Sequence, residues 1–342
     1  MKIMLIGDLH HGAKGNDTQF NEHICDFVDW VCALKEKYDI TTCIQLGDYF
    51  DQRHKIDVST LNYGIHNAKK LSQCYGKDNT YVLAGNHDMY HLSRLDVISL
   101  IMLEPYLTVV DELLVLDKLV LSPWIIDGEM WDNVCNLGSK CDYLFAHLEL
   151  NGFKVNDQYL MEHGFSHKEL KNYNKVFTGH YHSMQEMDNI LYVGTPYPIT
   201  MNEANEDHGV FILDTDDGSV EFVKYDEIKV ISIPYTQIES ILSLDPNKTS
   251  IRIEFPDELA DETVISDVQK LLEEYSFSDV KIKFKGQKTK ELLEINTDDI
   301  VEVENIDQVI VNFIKNAVDI DGIDKDILEK LYKMAIQKGD QQ

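Results

Sequence analysis

Short apolar runs, each stopped by small and polar residues, recur along the chain. Residues 3–6 run into Gly7-Asp8-Leu9-His10, residues 43–46 into Gly47-Asp48-Tyr49-Phe50-Asp51, and residues 81–84 into Gly85-Asn86-His87-Asp88. Runs this short and this apolar predict strands, three of them ending in three polar loops. The stretches between them, 20–38 and 60–74, carry apolar residues at mixed three and four spacing, as in Phe27, Trp30, Val31 and Leu34, which predicts helices. Strand alternating with helix predicts an α/β fold, a parallel or mixed sheet covered by helices, with its polar loops gathered at the carboxyl ends of the strands. The pattern continues at 143–146 before His147 and at 176–178 before Gly179-His180-Tyr181-His182, and strands at 190–193 and 210–213 close the set.

The pattern changes after about residue 235. Residues 250–255 alternate as a strand, 261–275 as an amphipathic helix, and 280–284 as a strand again. Lys281, Lys283 and Lys285 share one face of that last strand, opposite Ile282 and Phe284, and with Lys288 and Lys290 form the one clear basic run. Residues 289–304 are polar and read as a linker. Two helical stretches, 306–318 and 325–337, flank a turn at 319–324, and their apolar residues, among them Phe313, Leu328 and Leu331, exceed what so short a piece buries alone. A partner or the main body is expected to cover them. The expected division is 1–235, 236–288, a linker at 289–304, and 305–342.

Hydrophobic residues at 44% and aromatics at 10% exclude a mainly disordered chain. Charge is the unusual quantity: 31 Lys+Arg against 60 Asp+Glu leave a net charge of −29. Such a field does not draw in nucleic acid or an anionic membrane, so contact with a polyanion requires bound cations, a local basic patch or a partner. The six cysteines form no CxxC pair and read as reduced packing thiols. The apolar run near the N-terminus is too short for a signal peptide, and no stretch approaches the roughly 18 apolar residues of a membrane span. A soluble intracellular protein, cytoplasmic in location, is expected.

The candidate chemistry lies in five polar clusters: Asp8-x-His10, Gly47-Asp48-x-x-Asp51, Gly85-Asn86-His87-Asp88, His147, and Gly179-His180-x-His182. A lone Asp-x-His is ordinarily a turn aspartate beside an exposed histidine. Here seven candidate ligands each follow a predicted strand and can converge on one sheet edge. Their number fits two metal ions sharing a bridge, for which Asp48 is suited because the two oxygens of a carboxylate span ions roughly 3.5–4 Å apart. Mixed His, Asp and Asn ligation suits manganese, zinc or iron better than calcium.

These clusters, in this order, resemble the signature of the calcineurin-like metallophosphoesterase superfamily. The resemblance implies a mixed β-sandwich flanked by helices, one ion held by Asp8, His10, Asp48 and His182, and a second held by Asp48, Asn86, His147 and His180. It also implies that His87 faces the scissile phosphate without ligating, and that Asp88 orients its ring. Protein phosphatases of the superfamily carry GDxVDRG and GNHE. This chain has Gly47-Asp48-Tyr49-Phe50-Asp51-Gln52-Arg53 and GNHD, and continues well past its GHxH. Gly7-Asp8-Leu9-His10-His11-Gly12, His147-Leu148-Glu149-Leu150-Asn151-Gly152-Phe153 and Tyr192-Val193-Gly194-Thr195-Pro196 more closely resemble the SbcD and meiotic-recombination-eleven nuclease family, including its bacteriophage members. The likeness spans about residues 1–215 and is architectural beyond.

For a member of that family the expectations are a manganese- or magnesium-dependent DNA exonuclease or endonuclease, a strand-helix-strand capping domain that contacts DNA, and a C-terminal helical pair that binds the coiled coil of an SMC-like ATPase. A homodimer within a heterotetramer, working in DNA end processing, recombination, repair and replication without a membrane, completes them. Cellular eukaryotic and archaeal members have a histidine where Asp51 stands, so no catalytic role is carried onto Asp51, which reads either as support for the site or as a helix cap. A phosphatase or nucleotide phosphodiesterase, and a catalytically silent adaptor, are the alternatives. His11, His54, His91, His163, His167 and His208 read as surface or packing residues, Trp124 as loop packing, and the acidic stretch 202–207 as a solvated face.

Overall fold

A computed structural model describes residues 1–156, 159–256 and 279–285, with Val268, Lys270 and Phe277. The chain forms two units, residues 1–255 with 261–283, and residues 256–260 with 284–342. Both main sheets lie in the first.

One six-stranded sheet runs in the order Val220–Lys224, Gly209–Asp214, Lys2–Ile6, Thr42–Gln45, Thr80–Leu83, Thr108–Val110. The three pairings from Lys2–Ile6 outward to Thr108–Val110 are parallel, and the two on the other side are antiparallel. The second sheet runs Gln185–Met187, Ile190–Tyr192, Lys175–Gly179, Tyr143–His147, Leu119–Ser122, Leu114–Leu116, parallel at its centre and antiparallel at both ends. The mixed sandwich flanked by helices is the architecture the family resemblance implies; the strand-helix pattern alone predicts a helix-covered sheet.

Alternation along each strand explains why the runs are apolar throughout. Ile3 and Leu5 point between the sheets toward Phe145, Phe177, Leu121 and Leu191, while Met4 and Ile6 point outward under the helices Thr18–Tyr38 and Val58–Tyr75. Leu144, Ala146 and Val176 likewise face a third cluster around Trp131, Leu170 and Tyr173. A strand buried on both faces needs an apolar residue at every position. The two long helices start where Asp17 accepts from Phe20 N–H and Asp57 from Ser59 N–H, so Asp57, not Asp51, is the cap.

A small third sheet orders Lys229–Pro234, Thr249–Pro256 and Asp279–Lys285. It contains both strands expected beyond residue 235, and Lys229–Pro234 joins them in parallel with Thr249–Pro256. Lys281 and Lys283 are half-buried on its last strand, which Lys285 ends. The helix expected over 261–275, apart from Val268 and Lys270, lies outside the described residues, as do the linker at 289–304 and the helical pair at 306–337. Among the described residues no helix is long and apolar enough to cross a membrane, and all six cysteines are free.

Tyr197 ties this packing to the polar loops. Its fully buried ring lies edge-on to Phe20 and Phe27, and its hydroxyl donates to the Leu9 carbonyl at 2.7 Å, between Asp8 and His10. Tyr197→Phe keeps the packing and leaves that buried carbonyl without its donor, which costs about 1–3 kcal/mol; urea unfolding of the two proteins measures it, and equal stabilities would contradict the assignment.

Candidate metal centre

The five clusters meet where strands of both sheets end. Asp8 follows Lys2–Ile6, Asp48 follows Thr42–Gln45, Asn86 and His87 follow Thr80–Leu83, His147 ends its own strand, and His180 follows Lys175–Gly179. The loops turn too sharply for ordinary backbone. His10, Asp48 and His180 adopt φ of 49°, 51° and 93°, a region that costs a non-glycine residue about 1–3 kcal/mol. Reciprocal hydrogen bonds hold them there. His10 N–H donates to the Asp48 carbonyl at 3.0 Å, His180 N–H to the Asp8 carboxylate at 3.0 Å, and His87 N–H to Asp48 Oδ1 at 2.7 Å.

Asp8 and Asp48 are 1% and 2% exposed, and among the described residues only histidines stand within ion-pair distance of either. Asp8, His10 and His182 present ligand atoms within 4.8 Å of one another, and so do Asp48, His147 and His180. The first group closes with His10 Nε2 at 3.2 Å from His182 Nε2. In the second, Asn86 Oδ1 lies 3.0 Å from both His147 Nε2 and His180 Nδ1, and Asp48 Oδ2 lies 3.3 Å from His147 Nε2. His147 Nδ1 is 2.7 Å from the Leu46 carbonyl, which can only accept, so the proton of a neutral ring sits there and Nε2 offers its lone pair inward. Asp48 and Asn86 face that same nitrogen with acceptor oxygens, so a proton or a cation must stand between them. Convergent acceptors around buried carboxylates are a donor set that fits divalent cations.

Oxygen atoms stand behind the other ring nitrogens. Leu46 backs His147, Glu203 Oε1 backs His182 Nδ1 at 3.1 Å and Glu149 Oε2 backs His180 Nε2 at 3.5 Å, while Asp51 Oδ1 lies 3.3 Å from His10 Nδ1, which has no hydrogen-bond partner. Such partners fix ring orientation and raise basicity.

The charges respond to this crowding. Burial alone would raise Asp48, but His147, His10 and His87 hold it well below the usual carboxylate range, whereas burial outweighs its histidine neighbours and pushes Asp8 up. Burial opposes a charge on His147 and His182, yet Asp48 with Asp8 raises the first to about 9 and Glu203 raises the second to about 9. Burial lowers His87, joined by His10 and Arg53 and opposed by Asp48 and the Asp51 carbonyl.

Two readings of the sequence are corrected here. The resemblance sets Asp88 behind the His87 ring, but His87 Nδ1 donates instead to the main-chain carbonyl of Asp51 at 2.5 Å. Asp88 is turned inward by the N–H groups of Gly85, Tyr49 and Phe50, and burial and Asp48 push its carboxyl up to about 7. The stretch 202–207 is not uniformly solvated, because Glu203 is 3% exposed. It accepts from Ile199 N–H, Thr200 N–H and the Thr195 hydroxyl as well as facing His182. The local signal was the capping box Thr200-x-x-Glu203, which fixes the glutamate against its own turn.

Trp124 is more than loop packing, since its half-buried ring lies 5.1 Å from His180 and 5.9 Å from His147, centroid to centroid. His11 is a packing residue, stacked on Tyr49 and bonded to Asn67.

The calcineurin-like phosphoesterase family model matches residues 1–184. The chain belongs to the calcineurin-like phosphoesterase family. It is a hydrolase of phosphoester bonds, and the family implies divalent metals. Among curated proteins it is similar to exonuclease subunit 1 of enterobacteria phage T4, 25% identical over 98% of this chain and 100% of that protein. It is also similar to a product of invertebrate iridescent virus 3 named as a phosphoesterase, 078R, 25% identical over 70% of each. Among solved structures, the phosphoesterase YfcE of E. coli aligns at 12% identity and a TM-score of 0.32, covering 66% of this chain and 98% of that one.

Gly85 shows how tightly this phosphoesterase packs its centre, since a Cβ built there comes 2.3 Å from both Asp48 N and Asp48 Oδ1. Gly85→Ala must displace Asp48, and a loss of about 1–3 kcal/mol is expected; thermal melting reads it, with Gly128→Ala, which meets nothing within 4 Å, as the control.

Proposed function

We propose that the chain is a two-metal DNA nuclease, exonuclease or endonuclease, working as the subunit of a complex with an SMC-like coiled-coil ATPase in DNA end processing, recombination, repair and replication. The observation that carries the metal centre is the convergence of Asp8, His10, Asp48, Asn86, His147, His180 and His182 around two buried carboxylates. Similarity to a phage exonuclease subunit over nearly the whole chain supports DNA as substrate and a partner subunit.

In this reading Asp8, His10, Asp48 and His182 hold one ion, and Asp48, Asn86, His147 and His180 the other, manganese in preference to magnesium. The ions supply Lewis-acid chemistry, activating water and neutralising charge at phosphorus. The protein supplies the rest. Glu203, Glu149 and the Leu46 carbonyl fix the tautomers of the ligating rings. His87, held at Nδ1 by Asp51, turns Nε2 toward the phosphoryl group, where a protonated ring stabilises developing charge or donates to the leaving oxygen. Residues 1–235 form the nuclease domain, 236–288 the DNA-contacting cap, 289–304 a linker and 305–342 the ATPase-binding segment, with the complex built on a homodimer.

End-labelled single- and double-stranded DNA incubated with the purified chain and manganese tests this directly. Asp48→Ala is expected to abolish cleavage, and His87→Ala to slow it about 10²–10⁴-fold while metal content stays unchanged. Cleavage of cyclic nucleotides or phosphopeptides in place of DNA would move the assignment to a phosphodiesterase or phosphatase; a folded, metal-free and inactive chain would make it an adaptor.

The basic strand is tested by salt. Lys281, Lys283 and Lys285 changed together to Glu should weaken DNA binding and flatten the dependence of log K on log salt by about 0.9 for each phosphate no longer neutralised; an unchanged slope removes these lysines from the DNA interface.

A further inference from the structure

The loop that follows Asp48 carries a cation that the metal centre does not use. Arg53 is half-buried, its Nε is enclosed without a hydrogen-bond partner, and the guanidinium makes no ion pair with any described residue. This is unexpected in a chain with 60 acidic residues, because a guanidinium stays charged at all working pH and loses its hydration on burial. The nearest carboxylates along the loop are committed elsewhere: Asp51 Oδ1 faces His10 Nδ1 at 3.3 Å, and Asp57 caps the helix Val58–Tyr75 by accepting from Ser59 N–H at 2.8 Å.

The position of this cation is informative. Two residues before Arg53, the Asp51 carbonyl receives the Nδ1 proton of His87 at 2.5 Å, so the loop runs against the ring that the reading above turns to the phosphoryl group. His87 in turn feels the positive charge of Arg53.

We propose that Arg53 is a substrate-binding residue, its guanidinium clamping a non-bridging oxygen of the phosphodiester on the side of the centre where His87 stands. The proposal rests on the phosphoesterase reading above and names the contact that reading leaves open. A guanidinium presents paired N–H donors in a plane that matches two phosphate oxygens, a geometry a lysine lacks. The enclosed Nε anchors the plane of the guanidinium, and a ligand phosphate would supply acceptors to the terminal N–H groups.

The test uses the full chain loaded with manganese, as wild type, Arg53→Ala, Arg53→Lys and Asp48→Ala. Calorimetry with inorganic phosphate and with thymidine 5′-monophosphate reads anion binding; hydrolysis of DNA and of bis(p-nitrophenyl) phosphate reads KM and kcat; manganese titration and thermal melting read the scaffold. Arg53→Ala should bind both anions about 10- to 100-fold more weakly, the loss of a charged hydrogen bond, and lose kcat/KM comparably on both substrates. Arg53→Lys should fall between, with manganese affinity and Tm unchanged in both. Wild-type anion affinity in Arg53→Ala overturns the clamp, and so does a lowered Tm with lost manganese, which marks a structural arginine. If the wild type hydrolyses neither substrate, the phosphoesterase reading fails on its own, and the calorimetry still decides Arg53.

Discussion

Two carboxylates buried at the seam between two sheets are the constraint on which the rest of this structure depends. Asp8 and Asp48 are almost fully enclosed, and no lysine or arginine among the described residues pairs with them. An ionised carboxylate out of water is costly unless cations or hydrogen bonds compensate it. Here compensation is partial and directional: one backbone N–H on each carboxylate and the ring edges of His10 and His147. The fold therefore concentrates negative potential at one place, and the sandwich around it is the scaffold that makes such a place sustainable.

The scaffold does this through rigidity. Left-handed backbone at His10, Asp48 and His180 stores strain in the residues that face the centre, and hydrogen bonds from the neighbouring motifs hold it in place. Glycines at 85 and 179 bring backbone against Asp48 and Asp8 so closely that a Cβ at either meets a carboxylate oxygen at 2.3 Å. The Leu9 carbonyl is pinned from the helical core by Tyr197. Each motif thus positions another motif's side chain, and the centre forms only when strands far apart in sequence are registered together.

This interlocking decides what a sequence reader can see. The strands were legible because burial on both faces leaves them mostly apolar, and the ligands were legible because each follows a strand at its carboxyl end. The residues behind the ligands were not. Glu203 stands in an acidic stretch, and nothing in composition separates a glutamate aimed at His182 from its solvated neighbours. The resemblance put Asp88 behind the His87 ring and left Asp51 open between support and a cap, because neither motif nor spacing says which way their oxygens turn; that is settled by Gly85, Tyr49 and Phe50, whose N–H groups claim Asp88, and by the Asp51 carbonyl, which takes the His87 proton. Trp124 is silent in sequence because its partners, His147 and His180, are remote along the chain.

The charge of −29 and an anionic substrate are compatible for a reason of scale. At physiological ionic strength the field of scattered surface carboxylates decays over about 8 Å, so it penalises approach more than contact. Contact is governed by the few groups inside the cleft, where lower dielectric magnifies each interaction. A centre that gathers the divalent metals the family implies would be locally positive whatever the remaining surface carries. The acidic surface then acts on selectivity: it offers a polyanion no non-specific resting place and leaves recognition of the phosphoester to the groups inside the cleft.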